Sequence, residues 1–311
     1  MSRTDAVIIT GMHRSGTSLL ANILQEAGVD LGTELLGPLP GNPRGHYEDL
    51  KFLHFMDEIV QRKGLGILLE EENQISTLQP NEIEYARQLI NKRHNVPIWG
   101  WKDPRTCLYL DLWEKLLPEA KHIFIYRHPL EVATSLIRRG TDIQILLDPI
   151  RGIRSWILHN KFILKFYQGH KESCFLLHVS NLGINVNSTI TSISKKLDIL
   201  LQTKHLGKNY STNELHLLNP VNNKLFLSAL DPDADMLYSS MEQEADLPDV
   251  SETEENSETL QVVQTFADML NLIDPVQKTK SFCSAIFLAW LNVVEPKVAT
   301  MMTSNRNNIL A

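Results

Sequence analysis

The hydrophobic positions near the start of the chain predict a buried strand followed by an amphipathic helix. Residues 6–10 form a short, apolar, β-branched run that ends at Gly11, as in strands buried on both faces of a parallel sheet. Over residues 15–27 the apolar side chains recur at helical spacing, and Gly28 ends that pattern. The first unit is therefore predicted to be a strand, a glycine-containing turn and a helix.

The alternation of strand and helix patterns continues to about residue 200. Three further apolar runs predict strands, at residues 98–101, 122–126 and 174–179. Helical spacing of apolar residues predicts helices over 49–60, 82–93, 131–138 and 150–167, whereas the Gly- and Pro-rich segment 28–45 predicts loop. The fold class is therefore α/β, with a mostly parallel central sheet of about four to five strands flanked by helices, like the P-loop nucleotide hydrolases.

The signal weakens beyond about residue 207. We predict a main α/β domain over 1–245, an acidic linker or loop over 246–259, and a helical C-terminal appendage over 260–311. Two helical patterns, at 260–273 and 281–294, support the last prediction. The sequence assigns no role to this final third and does not indicate the oligomeric state.

Composition and charge are those of a globular enzyme without a polyanionic partner. The chain has 311 residues and a net charge of −7, so neither nucleic acid nor an anionic membrane surface is expected to bind it. Basic residues outnumber acidic ones over 81–171, while 242–274 contains no Lys or Arg. An enzyme for an anionic cofactor fits this distribution, but ordinary unevenness of surface charge explains it equally well.

The cysteines and the apolar runs predict a cytoplasmic protein. Cys107, Cys174 and Cys283 are odd in number and widely spaced, so they form neither a disulfide framework nor a metal-ligand pattern. The first residues contain no secretory apolar segment. The longest apolar stretch, 284–294, is well short of the ~20 residues that cross a bilayer. We expect no membrane span and no bound metal.

The turn after the first strand has the composition of an anion-binding loop. It consists of Gly11, Met12, His13, Arg14, Ser15, Gly16, Thr17 and Ser18. Small residues let backbone N–H groups point toward an anion, and the helix N-terminus adds a partial positive charge. A P-loop lysine is expected where Thr17 stands, and a different cation, Arg14, lies inside the loop. A phosphate-like group is therefore the predicted ligand, without the usual metal-assisted chemistry.

This loop resembles the 5′-phosphosulfate loop of the sulfotransferases that use 3′-phosphoadenosine 5′-phosphosulfate (PAPS). A second motif of that family, an Arg at a strand end and a Ser eight residues later, is matched by Arg127 and Ser135. The resemblance covers roughly residues 5 to 200 and implies a catalytic domain that binds PAPS. It implies that His13, Arg14 and their loop neighbours hold the phosphosulfate, and that Arg127 and Ser135 bind the 3′-phosphate.

A third match implies the reacting groups. Many members of the family have a lysine at the end of this strand that contacts the sulfuryl group, and Lys102 stands at the same place. The cytosolic subgroup has its catalytic His two residues later, where this chain has Pro104. The carbohydrate, tyrosyl-protein and many bacterial subgroups use a glutamate instead. The segment 42–48 resembles the bacterial element, which makes Glu48 the first candidate for the general base, with His46 and Glu34 left open.

The resemblance implies in-line transfer of a sulfuryl group from PAPS to an acceptor hydroxyl, or less readily an amine, without a metal. Arg14 and Lys102 would stabilise the leaving group, and Glu48 would take the acceptor's proton. The acceptor stays open among saccharide, lipid, metabolite and peptide hydroxyls. A P-loop nucleotide kinase or hydrolase and a non-catalytic nucleotide-binding protein are the alternatives. The match is weaker at 179–182, where the family's usual Tyr-Glu-Asp-Leu is absent.

Several aromatic and polar residues have two interpretations. Trp99 and Trp101 could stack on an adenine, but strand aromatics more often belong to the core, and we expect them there. Trp156, His159 and Asn160 lie on a predicted helix and are interpreted mainly as packing contacts.

Overall fold

A computed structural model describes residues 4–39, 42, 45–63, 68–140, 142–203, 206, 226–251, 285 and 287–291. Within them, four strands form one sheet in the order β2-β1-β3-β4, and every neighbouring pair is parallel. The strands are β1 (Asp5–Thr10), β2 (Ile98–Lys102), β3 (Lys121–Tyr126) and β4 (Cys174–His178). The predicted parallel α/β sheet is confirmed, with each strand within one residue of its expected ends.

Ten α-helices with both ends in the described part of the chain accompany the sheet: α1 (Thr17–Glu26), α2 (Leu50–Val60), α3 (Pro80–Asn91), α4 (Leu110–Leu116), α5 (Pro129–Arg139), α6 (Ile143–Leu147), α7 (Ile150–Gly169), α8 (Ser180–Ile184), α9 (Val186–Leu197) and α10 (Pro232–Glu244). The helices α3 and α5 each begin at a proline, earlier than predicted, because the fixed φ and missing N–H of proline suit the first helical turn.

The helix α9 was not predicted. Its sequence is rich in Ser, Thr and Asn, which have low helix propensity, so tertiary packing decides the outcome. Ile190, Ile193 and Leu197 of α9 join the main core cluster, which also contains Val7 and Ile9 of β1. Burial of this apolar stripe stabilises a segment that is only weakly helical by itself.

The described chain divides into two compact units. One contains residues 1–127, 158–215 and 241–249, and the other contains 128–157, 216–240 and 250–311. The first holds the whole sheet. Leu247 forms a parallel bridge with Leu177 of β4, so the beginning of the predicted linker pairs with the edge strand. The boundaries predicted at 245 and 259 stay predictions.

The predicted C-terminal helices lie mostly outside the described residues. The pattern over 260–273 falls there entirely, as does Cys283, whereas residues 285 and 287–291 of the second pattern are helical. No helix among the described residues has both the length and the apolar character needed to cross a bilayer.

An aromatic cluster holds α2 against β2. Trp101 stacks on Phe52 of α2 with the ring centroids 4.5 Å apart, and it lies 4.8 Å from Trp113. Trp99 and Trp101 are almost completely buried, in agreement with a core role for these strand aromatics. This packing matters for the site because α2 begins two residues after Glu48, and β2 ends at Lys102.

Candidate functional site

The loop between β1 and α1 adopts a backbone that few sequences allow. Arg14 and Gly16 have φ values of 69° and 94°, both in the left-handed region, and the Ser15 N–H donates to the Met12 carbonyl. A left-handed arginine is energetically unfavourable, and such residues concentrate at functional sites. The helix α1 starts at Thr17 with Gly16 as its N-cap, which provides no side-chain acceptor for the first-turn amides.

Two glycines of the loop are required by close contacts. A Cβ on Gly11 would lie 2.1 Å from the Ile125 carbonyl oxygen of β3, and one on Gly16 would lie 2.6 Å from Cγ2 of Val179. The loop therefore rests directly on β3 and on the residue after β4. Glycine at these positions keeps the loop backbone close to the carboxyl edge of the sheet.

Ser15 supplies evidence that the loop fits an anion. Its side chain is fully buried, and its hydroxyl has no hydrogen-bond partner among the described residues. A buried hydroxyl without a partner is costly, whereas an anion in the loop would accept its hydrogen bond. Together with the uncapped N-terminus of α1, this favours a phosphate- or sulfate-like group in the loop.

Three of the predicted site residues meet at this edge of the sheet. Lys102 Nζ lies 2.6 Å from Glu48 Oε1 and 3.3 Å from the Ser18 hydroxyl. The side chains of Lys102 and Glu48 are only 1% and 9% exposed. Asn42 Nδ2 also lies 3.3 Å from the Ser18 hydroxyl and donates to the Gly45 carbonyl. The side chains of Lys102, Glu48 and Ser18 come from the end of β2, the segment before α2 and the first turn of α1, respectively.

Burial and neighbouring charges determine the acidity of Glu48. Burial raises the pKa of its carboxyl group above the ordinary value, and Lys102 partly offsets that effect. The carboxylate of Asp103 raises the pKa of Glu48 further, whereas Arg105 lowers it. Glu48 is thus a carboxylate with more than ordinary proton affinity, held against a buried cation.

The backbone around Glu48 is anchored on both sides. The Asp49 side chain caps α2 by accepting from Lys51 N at 2.9 Å and Phe52 N at 3.4 Å. Before Glu48, Tyr47 has φ 59° and its N–H bonds to the Leu36 carbonyl. These contacts hold the backbone on both sides of Glu48.

The other candidate bases occupy different surroundings. The Glu34 side chain is 60% exposed and forms an ion pair with Lys51 at 3.3 Å. His46 is partly buried, and its backbone N–H donates to Leu36. Glu48, by contrast, contacts Lys102 directly, beside the loop.

The remaining predicted residues lie in the loop, after β3 and on α5. Arg127 follows β3 and is buried, with Nη1 3.4 Å from the Arg14 carbonyl oxygen, so it reaches the loop backbone. The His13 ring is 6.3 Å from that of His159, in an edge-on arrangement. Ser135 is buried on α5, in the second unit. The pairing of Ser135 with Arg127 stays a prediction.

Sequence analysis missed the charged residues behind the site. Asp103 and Arg105, which flank Pro104, and Asp57 of α2 were given no role, yet the Arg105 guanidinium contacts both carboxylates. The sequence pattern that could have identified them is the run of charged residues at the carboxyl end of a buried strand, because charged groups require partners when they are buried.

A comparison with known protein families gives a match in sequence. A family model described as "Sulfotransferase family" matches residues 6–145, from β1 to α6. No curated protein sequence matches the chain.

The solved structures that match the chain are remote. The sulfotransferase STF1 from Mycobacterium tuberculosis H37Rv is 13% identical, with 78% of this chain and 77% of that chain covered and a TM-score of 0.41. STF9 from Mycobacterium avium is 15% identical, with 88% and 78% covered and a TM-score of 0.43. Mouse SULT7A1, solved with PAP, is 14% identical, with 97% and 89% covered and a TM-score of 0.35. At this distance they bear on neither substrate nor mechanism.

Proposed function

We propose that the chain transfers the sulfuryl group of PAPS to an acceptor hydroxyl, since a sulfotransferase family model matches residues 6–145 and the three sequence motifs resemble those of the same family. The observation that carries the proposal is the contact of buried Lys102 with buried Glu48 beside Ser18. Such a transfer needs a cation for the charge of the leaving group and a base for the acceptor's proton. Both groups lie next to an anion-binding loop.

The loop would bind the phosphosulfate end of PAPS. The Ser15 hydroxyl and the first amides of α1 are donors that point to an anion at this place. Arg14 adds a positive charge within the loop. Arg127, which touches the loop backbone at Arg14, would bind the 3′-phosphate together with Ser135.

In the reaction, an acceptor oxygen forms a new bond to sulfur while the bond from sulfur to the 5′-phosphate oxygen breaks. Negative charge develops on that departing oxygen, and Lys102 and Arg14 stabilise it. Glu48 accepts the proton that the acceptor hydroxyl loses. Lys102 Nζ lies 3.3 Å from the Ser18 hydroxyl, beside the loop. A small movement of the Lys102 side chain would therefore replace its contact with Glu48 by a contact with a sulfuryl oxygen.

Calorimetry tests the proposed ligand. We expect 3′-phosphoadenosine 5′-phosphate (PAP) to bind with a micromolar dissociation constant without Mg²⁺, and ATP to bind more weakly. Arg127→Ala should weaken PAP binding by at least about tenfold, because a buried charge-assisted contact to phosphate is worth more than ~1.4 kcal/mol. Arg87→Ala is the matched control, since Arg87 is exposed and pairs with Glu84 on the same helix.

Other outcomes separate the alternatives. A preference for ATP with Mg²⁺ would replace the proposal with a nucleotide kinase or hydrolase. PAP binding without transfer of labelled sulfate from PAPS to any of a saccharide, lipid, phenol or peptide panel would indicate a non-catalytic nucleotide-binding protein. That panel also addresses the acceptor class.

We place the protein in the cytoplasm as part of the proposal, since Cys107 and Cys174 are buried free thiols.

A further inference from the structure

Arg105 connects the end of β2 to α2. It lies in the 3₁₀ helix Pro104–Tyr109, and its side chain is 3% exposed. The guanidinium holds Asp103 with two bonds, Nε to Oδ1 at 2.9 Å and Nη2 to Oδ2 at 2.5 Å. Its Nη1 bonds to Asp57 Oδ1 on α2, and Nη2 lies 3.4 Å from the Leu53 carbonyl oxygen. One buried side chain therefore spans both elements.

These are the two elements that carry the proposed reacting groups. Lys102 is the last residue of β2, and Glu48 immediately precedes Asp49, the N-cap of α2. The separation of Lys102 Nζ from Glu48 Oε1 therefore depends on where the start of α2 lies relative to the end of β2. The planar fork of arginine binds carboxylates with a fixed geometry, which a lysine at this position would not reproduce.

Arg105 also compensates a charge next to Glu48. Asp103 is completely buried, and its carboxylate raises the pKa of Glu48. The positive charge of Arg105 opposes this effect, and the flanking carboxylates raise the pKa of Arg105 itself, which stays protonated. Glu48 is thus faced by Lys102, Asp103 and Arg105, and loss of Arg105 would leave Asp103 as an uncompensated buried anion.

We propose that Arg105 is a positioning residue of the transfer site, which holds Glu48 opposite Lys102 and neutralises Asp103 so that Glu48 is available as a base. The inference rests on the proposed function. The competing interpretation is that Arg105 contributes only to folding stability. The two differ because only the first predicts that the proton affinity of Glu48 depends on the charge at Arg105.

The titration of Glu48 tests the proposal without any acceptor. Carboxyl ¹³C signals of labelled glutamates, with the Glu48 signal assigned by its loss in Glu48→Gln, report the pKa in the full-length protein. In Arg105→Gln we expect the pKa of Glu48 to rise, because an opposing buried charge has been removed. Arg87→Gln, which removes an exposed arginine, should leave the titration of Glu48 unchanged.

A charge-compensated pair keeps the test decisive where Arg105→Gln does not fold. Asp103→Asn retains a side-chain acceptor for the Arg105 N–H, and Asp103→Asn/Arg105→Gln removes both charges. The pKa of Glu48 should be higher in the double variant than in Asp103→Asn alone. Equal values would overturn the proposal. Failure of the wild-type protein to bind PAP would instead refute the proposed function, whatever the titration shows.

Discussion

At the scale of single residues, Glu48 is the group whose surroundings most influence the proposed chemistry. Burial favours its protonated form, whereas Lys102 at 2.6 Å favours the carboxylate. An anion that attracts Lys102 away would leave Glu48 with a higher proton affinity. We expect this to make Glu48 a stronger base when the sulfuryl donor is bound, as long as Arg105 keeps its carboxyl group ionised.

Replacing Glu48 by Gln keeps the shape of the side chain and removes its ability to accept a proton. We expect PAP binding to stay within about twofold of the wild-type affinity while turnover with an active acceptor falls by about 10² to 10⁴. The matched control is Glu34→Gln, which alters an exposed glutamate paired with Lys51. Turnover that survives Glu48→Gln would move the base to another residue.

At the scale of elements, the strand–loop–helix unit depends on backbone proximity. The loop follows β1 and lies against the carboxyl ends of β3 and β4, so its anion-binding shape depends on small residues at Gly11 and Gly16. The parallel register places Ile9 opposite both Lys102 and Ile123, so the loop and the proposed cation leave the sheet at the same level. The chemistry is thus concentrated at one edge.

Gly11→Ala should disrupt this unit. Its Cβ would lie 2.1 Å from a backbone carbonyl oxygen, and no rotamer relieves that overlap. We expect the free energy of unfolding to fall by about 3 kcal/mol or more, and PAP binding to be lost. Gly169→Ala is the control, because no atom lies within 4 Å of its Cβ position. Chemical denaturation measures both variants; a Gly11→Ala protein as stable as the control would contradict the described loop.

At the scale of the whole molecule, stability is expected to depend on pH through a buried histidine of the sheet. His122 of β3 is completely buried, with its ring centroid 4.8 Å from that of Phe166. Burial, with smaller contributions from His170 and Lys121, lowers the pKa of His122 from 6.5 to about 3. The folded protein therefore holds this imidazole neutral where the unfolded chain would protonate it.

The sign of the effect follows from proton binding. Between pH 6.5 and about 3 the unfolded chain binds a proton at His122 that the folded protein does not, so stability falls as the pH decreases through this window. The loss should be of the order of a few kcal/mol. In His122→Phe the decrease should be shallower. His54→Gln, at an exposed position, should behave like the wild type in denaturation curves measured from pH 7 to pH 4.

Much of the fold could be predicted because its signals are local. Apolar runs identify the four strands, and the loop composition predicts an anion site, since backbone conformation there depends on residues adjacent in sequence. The short helices and α9 were missed because their stability comes from packing rather than from propensity. The sequence also left Glu48, His46 and Glu34 as alternatives, since it does not specify which side chain reaches Lys102.

The sequence by itself determined the parallel α/β arrangement, the backbone loop proposed to bind an anion and the cation at the end of β2, because each follows from the spacing of neighbouring residues. Only the tertiary structure brought Glu48 to Lys102, across 54 positions of the chain, and placed Arg105 between Asp103 and Asp57. Such contacts depend on how α2 packs on β2 through Phe52 and Trp101. Charge compensation in a buried site is a property of that packing, because the burial that makes it necessary arises only in the folded chain.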